Sequence, residues 1–196
     1  MNFQRVHEFW FGEDLVASPL KNRDLWWRRP AGIDEKVRDE FLPTLEAAAA
    51  GKLADWESTP EGFVSLILVL DQFPRHIFRG KPRAFAFDAQ ARALCLKGLA
   101  QGMDRKMHWS ERQFFLLPLE HAEDLIIQER ALVEFDRLVQ DTPAEFREYM
   151  LDNQRFAVKH HDIIKRFGHF PHRNSILGRV STAEEIEFLK DPSNSF

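Results

Sequence analysis

Apolar residues recur along this chain at intervals of three and four, the period of one face of a helix. No run of β-branched residues alternates convincingly with the period of two that a strand requires. The pattern predicts helices near 3–10, 19–28, 33–50, 60–73, 82–101, 110–117, 119–140, 143–167 and 182–190, separated by short breaks rich in Pro, Gly, Asp or Ser. Thr59-Pro60-Glu61 offers a cap followed by proline at the first helical position. Ser110 to Gln113, Thr142 to Glu145 and Ser181 to Glu184 fit the capping box. Pro74 predicts a helix stop at or before Phe73, and Pro118 a kink or split.

The helices differ in character. Segment 60–73 is apolar around nearly its whole circumference, through Phe63, Val64, Leu66, Ile67, Leu68, Val69 and Leu70, and so belongs inside the protein. Segment 84–100 is rich in Ala and Gly, which lets neighbouring helices approach closely. Segment 119–140 carries two apolar stripes, Leu119/Ala122/Ile126/Val133 and Ile127/Ala131/Phe135/Leu138, the pattern of a helix held between neighbours in stacked hairpins. The expected architecture is all-α, a single helical domain over 1–196.

Several segments together resemble the domain of unknown function 924 family, known mainly from bacteria. They are Glu8-Phe9-Trp10-Phe11-Gly12, the run from Leu70 to Gly80, Ala84-Phe85-Ala86-Phe87-Asp88-Ala89, Phe115 to Asp124, His161 to Asn174, and Leu177 to Glu185. Their order and spread cover nearly the whole chain. The resemblance implies stacked antiparallel helical hairpins in a tetratricopeptide-repeat-like superhelix, and it implies no activity. The Trp, Leu-Gly and Tyr positions of the tetratricopeptide consensus are not present.

Candidate chemistry lies where polar residues interrupt apolar faces. Asp71 extends the stripe of Val64 and Ile67 and falls near the expected helix end, where a carboxylate opposes the helix dipole. It needs a basic or hydrogen-bonding partner, and Arg75, Arg79 and Arg173 are candidates. Asn153 and His160 fall within the apolar face of segment 143–167, with His161 at its edge. Glu120, Asp124 and Gln128 follow at i, i+4 and i+8, with His121 three residues before Asp124, a grouping suited either to acid–base chemistry or to a solvated helix edge. Two loops echo each other: Phe73-Pro74-Arg75-His76 and Phe170-Pro171-His172-Arg173, the latter running on into Asn174. Each places arginine just past an expected helix end, where it either satisfies the last carbonyls or offers a fork to a carboxylate or phosphate.

Composition narrows the function. The net charge of −4 argues against nucleic acid as partner. The longest nearly apolar run, Phe63–Leu70, has 8 residues including Ser65, far short of the ~20 that span a bilayer. A single cysteine, Cys95, forbids an intrachain disulfide and, with a start that lacks a signal-peptide core, suggests a soluble protein of the cytoplasm. No dinucleotide, Walker or H-E-x-x-H pattern is present, so no cofactor or metal is expected. His169 and His172 have zinc-like spacing without further ligands. Trp10, Phe11, Trp26 and Trp27 crowd near the N-terminus; they cover one end of the helical stack or form a dimer patch, leaving a monomer or a weak homodimer.

Two functions fit. One is a binding protein holding a small anionic molecule or a peptide end in a polar pocket built from Asp71, Arg75, Glu120, His121, Asp124, Asn153, His160, His161, Arg173 and Asn174. The other is a hydrolase in the same pocket, with His121 or His160 as general base and Arg75 or Arg173 stabilising an oxyanion. A structural polar network is the third possibility for these residues.

Overall fold

Thr59 marks the start of the longest apolar helix as its sequence suggests. Its hydroxyl accepts the Gly62 N–H, and Pro60 occupies the first helical position, where a missing N–H is harmless. The computed structural model describes residues 1–28 and 30–194, and among these every regular element is helical. In chain order they are α1 (Phe3–Phe11), α2 (Arg23–Trp27), α3 (Ile33–Ala49), α4 (Pro60–Ile77), α5 (Asp88–Ala100), α6 (Trp109–Glu120), α7 (Leu125–Asp141), α8 (Arg147–Phe167), α9 (Asn174–Leu177) and α10 (Ala183–Phe188). Short 3-10 turns, such as Ala54–Ser58 and Pro171–Arg173, lie between some of them. None of the helices is long and apolar enough to cross a membrane.

The chain divides into two compact units. One holds residues 1–79 and 83–118, the other 80–82 and 119–196. In the first unit α4 is the central element, packed against α1, α3 and α5. Its residues from Gly62 to Asp71 are all buried, as an all-round apolar helix must be. The crowded N-terminal aromatics do not form a surface patch. Trp10 and Phe11 are fully buried, and Trp10, Phe11, Trp26 and Trp27 all contact the Phe114 ring. Only Trp27 keeps substantial exposure, at 45%. The Trp26 indole donates to the Trp10 carbonyl at 2.8 Å, which satisfies the polar atom that burial would otherwise strand. In α5, Gly98 lets the Phe63 and Phe115 rings pack within 2.8 Å of where a Cβ would stand.

Pro74 does not end α4, which continues to Ile77. Proline's local penalty is outweighed by contacts that need the extra turn. Phe73 packs against Phe41 with 4.8 Å between ring centroids. His76 and Arg79 both reach Asp34 at the start of α3, at 2.8 Å and 2.5–2.8 Å. Arg38 donates to the Ile77 carbonyl at 2.7 Å. The Arg79 hydrogen bonds hold the Asp34 carboxyl down at about 2, with burial opposing and His76 assisting. A carboxylate with a depressed folded-state pKa stabilises above the ordinary carboxylate range, and that contribution disappears as pH falls toward 2. Asp34→Asn is expected to flatten the acid limb of a stability profile between pH 3.8 and about 2. Denaturant midpoints measured across that range check it; parallel acid limbs for variant and wild type would contradict the assignment.

In the second unit α7 packs along α8. The reading of 119–140 as one two-striped helix is corrected. Pro118 lies inside α6, and the break falls at 121–124, after which Asp124 caps α7 by accepting the Ile127 N–H at 3.2 Å. Leu119 and Ala122 therefore do not continue into a stripe. Ala131, Phe135 and Leu138 are buried, but Ile126 and Val133 face solvent. Two other expected capping boxes shift. Thr142 follows the end of α7 and bonds back to the Leu138 carbonyl at 2.7 Å, and the final box pairs Thr182 with Glu185 rather than Ser181 with Glu184. Ser110 caps nothing, since α6 begins at Trp109 and the Glu111 carboxylate takes the His108 N–H at 2.7 Å.

Candidate functional site

The ten candidate residues fall into both units, and each unit gives them a distinct setting. Asp71 and Arg75 lie in the first unit, one turn apart on α4. Asp71 is 0% exposed; Gln72 donates to its Oδ2 at 2.6 Å, and the Arg75 guanidinium stands 3.5 Å from its Oδ1. Arg75 also closes a two-bond fork on Asp88, at 3.0 and 3.1 Å, at the start of α5. Burial works against the Arg75 charge, but Asp71 and Asp88 outweigh it and raise its pKa. Because α4 runs on to Ile77, Asp71 sits well before the helix end, and the dipole penalty expected of it falls away. The arrangement is an ion network joining α4 to α5, with the guanidinium fork directed at a protein carboxylate. Arg79, the other nearby candidate, goes to Asp34 instead.

The remaining eight candidates lie in the second unit, where four of them gather. Phe170, fully buried, is the hub. The His160 ring meets it edge-on at 5.3 Å, the His172 ring lies at 5.5 Å, and the Arg173 guanidinium sits 4.5 Å over its face. His121, in the turn between α6 and α7, has its ring 6.2 Å from that of His160. Glu120, the last residue of α6, places Oε1 3.0 Å from His160 Nδ1, which also faces the Phe156 carbonyl at 2.8 Å. Both neighbours are acceptors, so Nδ1 carries the proton and donates. His160, Arg173 and Glu120 are buried, while His121 and His172 are half-buried.

A second frame fixes the hub. The Phe170 N–H donates to Glu123 Oε1 at 2.8 Å. Arg179 grips both Glu123 oxygens at 2.7 and 2.9 Å and donates to the Phe170 carbonyl at 3.1 Å. Burial works against the Glu123 charge, and the Arg179 fork with the Phe170 amide more than reverses it, lowering the pKa. Gly168, at φ +76, ends α8 in the left-handed region and turns the chain into this loop.

The imidazole pKa values fall as well, which leaves these rings uncharged where Glu123 is held charged. Burial first, then repulsion between a protonated His160 and the basic groups of His121, Arg173 and His172, moves His160 below its usual range, against the pull of the Phe156 carbonyl. His172 falls to about 4 through burial and Arg173, with Glu123 opposing. Both rings are neutral donors and acceptors at pH 7, set beside a buried cation.

The other four second-unit candidates have local roles. Asp124 is the α7 cap and is exposed. Asn153 donates to the Tyr149 carbonyl one turn back, at 2.8 Å. His161 lies 3.0 Å from Asp162. Asn174 donates to Ser181 at 3.1 Å and to Glu185 at 3.4 Å, tying α9 to the start of α10. The Glu120–Asp124–Gln128 series is not one helix edge; Gln128 donates to the carbonyls of Glu120 and Ala122, at 2.5 and 2.8 Å, and closes the turn. His169 is engaged by Glu185 at 2.6 Å. Phe170, His172 and Glu123 are not among the ten candidates, although the cluster contains them. Glu123 adjoins the cap Asp124, and nothing in its spacing points to a partner 56 residues away.

Two surface hollows lie in the first unit. One, about 300 Å³, is lined by Leu53, Leu66, Leu70 and Leu94; the other, about 360 Å³, by Arg5, Glu8, Phe9, Lys21 and Lys36 among others. Neither is lined by a candidate residue.

An all-helical protein with a histidine–arginine cluster around a buried phenylalanine is the class these observations define. The chain belongs to the family described as bacterial protein of unknown function (DUF924), whose model matches residues 6–193. It is similar in structure to the Agrobacterium tumefaciens protein of unknown function ATU0120. The two are 34% identical with a TM-score of 0.79, over 96% of this chain and 97% of the other. A comparison with curated proteins finds no match.

Proposed function

We infer that the protein binds a small anion, a carboxylate or phosphate group of a metabolite or a peptide end, at the cluster around Phe170. The observation that carries this reading is the gathering of His160, His172 and Arg173 around Phe170, with the His121 ring next to that of His160. Burial first, and then the repulsion of added protons within the cluster, holds His160 and His172 neutral. An anion placed beside the cluster takes hydrogen bonds from the guanidinium fork and from the N–H of His121 or His172, since the single His160 proton is directed at Glu120 and the Phe156 carbonyl. The hydrolase reading fits less well. A general base works best with a pKa near the working pH, and burial has moved His160 well below that.

The test is thermal denaturation with and without phosphate or succinate, in the wild type and Arg173→Lys. A ligand at about 100 times its dissociation constant stabilises by about 2.7 kcal/mol. The wild type is expected to gain melting temperature with at least one anion, and Arg173→Lys to lose that gain, since an ammonium cannot reproduce the planar fork. A wild type indifferent to both anions, with Arg173→Lys destabilised equally in each buffer, would assign the cluster a purely structural role.

A further inference from the structure

The outer face of α7 is its own complement. Ile126 and Val133 are 76% and 48% exposed, and Glu129 and Arg130 are exposed between them. At 100° per residue the four share an arc of about 100°, forming one compact face. The opposite side of the helix is occupied, since Ala131, Phe135 and Leu138 are buried where α7 packs along α8. Arg130 is held in place by Glu134, 2.6 Å away and only 4% exposed, whose carboxylate also takes Arg137.

Residues 126 and 133 lie at equal distances from the Glu129–Arg130 peptide, and residues 129 and 130 flank it. If two copies of α7 cross antiparallel at that point, Ile126 of each meets Val133 of the other and Glu129 of each meets Arg130 of the other. Both the apolar and the charged pairs come in register, twice each, as an isologous contact demands. We propose that α7 is a homodimerisation helix, with a second copy of this chain docked antiparallel across Glu129 and Arg130. The charge order selects the occupant: a face reading apolar, acidic, basic, apolar matches its own reverse. A stable interface buries about 800 Å² per partner, and this face is smaller, so the dimer is weak and concentration-dependent.

Sedimentation of the full chain from ~10 µM to ~1 mM tests it, a range that brackets weak association. The weight-average mass is expected to climb from one chain toward two, and Ile126→Glu to hold it at one. Helical signal and melting temperature at low concentration should be unchanged, because the position is exposed. Glu129→Arg gives a face with two arginines and Arg130→Glu one with two glutamates. Each alone is expected to weaken self-association by about tenfold or more. An equimolar mixture of the two should associate again. A wild type that stays monomeric throughout, a dimer indifferent to Ile126→Glu, or a mixture that fails to associate each overturns the proposal.

Discussion

Alanine at position 62 is expected to destabilise the protein by about 3 kcal/mol or more, the upper range for overpacking a dense site. At this chain length that lowers the melting temperature by about 6–12 °C. The direction is opposite to the ordinary rule, since replacing glycine by alanine inside a helix gains about 1 kcal/mol. Gly62 lies in the first turn of α4, where the 3-10 turn Ala54–Ser58 passes against it. A Cβ there would stand 2.3 Å from the Trp56 carbonyl oxygen and 3.0 Å from Thr59 Oγ1. The first is a backbone atom and cannot rotate away. Shifting it would dislodge the buried Trp56 indole, whose ring meets Phe3 edge-on at 6.0 Å. Shifting Thr59 would break the cap that starts the helix. Glu61→Ala, at the exposed neighbouring position, is the control and should stay within ~0.5 kcal/mol of wild type. A Gly62→Ala variant as stable as that control would show that the 3-10 turn gives way freely.

That contact illustrates what a sequence withholds. The start of α4, its cap, its proline and its all-round apolar character are local properties, legible from Thr59, Pro60 and the run Phe63–Leu70. The close approach of Trp56 to Gly62 depends on the path of the intervening chain. Pro74 shows the same division from the other side. Its local chemistry predicts a stop, and the stop is overridden by Asp34 and Arg38 of α3, which bind His76 and the Ile77 carbonyl in the added turn and Arg79 just past it. In the 119–140 segment, the spacing of Glu120, Asp124 and Gln128 imitates one helix edge. What it encodes is a helix end, a cap and the glutamine that closes the turn between them.

The candidate site was legible in the same uneven way. His160 and Arg173 stood out because a polar residue on an apolar face and an arginine in a Phe-Pro loop are both anomalies visible along the chain. His121 was marked for its spacing to Asp124, yet its neighbour in space is His160. Phe170 enters only through the Phe-Pro echo and not as a site residue, and Glu123 carries no signal. A buried phenylalanine is unremarkable until its neighbours are seen to be imidazoles and a guanidinium, and Glu123 acquires its role only through Arg179 and the Phe170 amide. Periodicity assigns residues to faces, and only the packing of elements decides which faces meet.

Replacing Asp71 by alanine is the second substitution expected to be severe, at about 3 kcal/mol or more, the scale for breaking a buried ion pair by removing one member. Asp71 is fully buried on the most buried helix, with Gln72 and Arg75 among its partners. Its removal leaves the amide of Gln72 without this acceptor and the Arg75 guanidinium with one fewer counter-charge. Burial already works against that guanidinium, and Asp88 alone then has to offset it. Asp71→Asn keeps the shape and an acceptor oxygen while removing the charge, so its loss should be smaller, and the gap between the two variants measures what the hydrogen bonds contribute apart from the ion pair. Glu61→Ala on the exposed first turn of the same helix again gives the baseline. Urea denaturation of the four proteins at neutral pH is sufficient. Equal sub-kilocalorie losses for Asp71→Ala and Glu61→Ala would mean that the carboxylate is solvated and that α4 and α5 are held together without it.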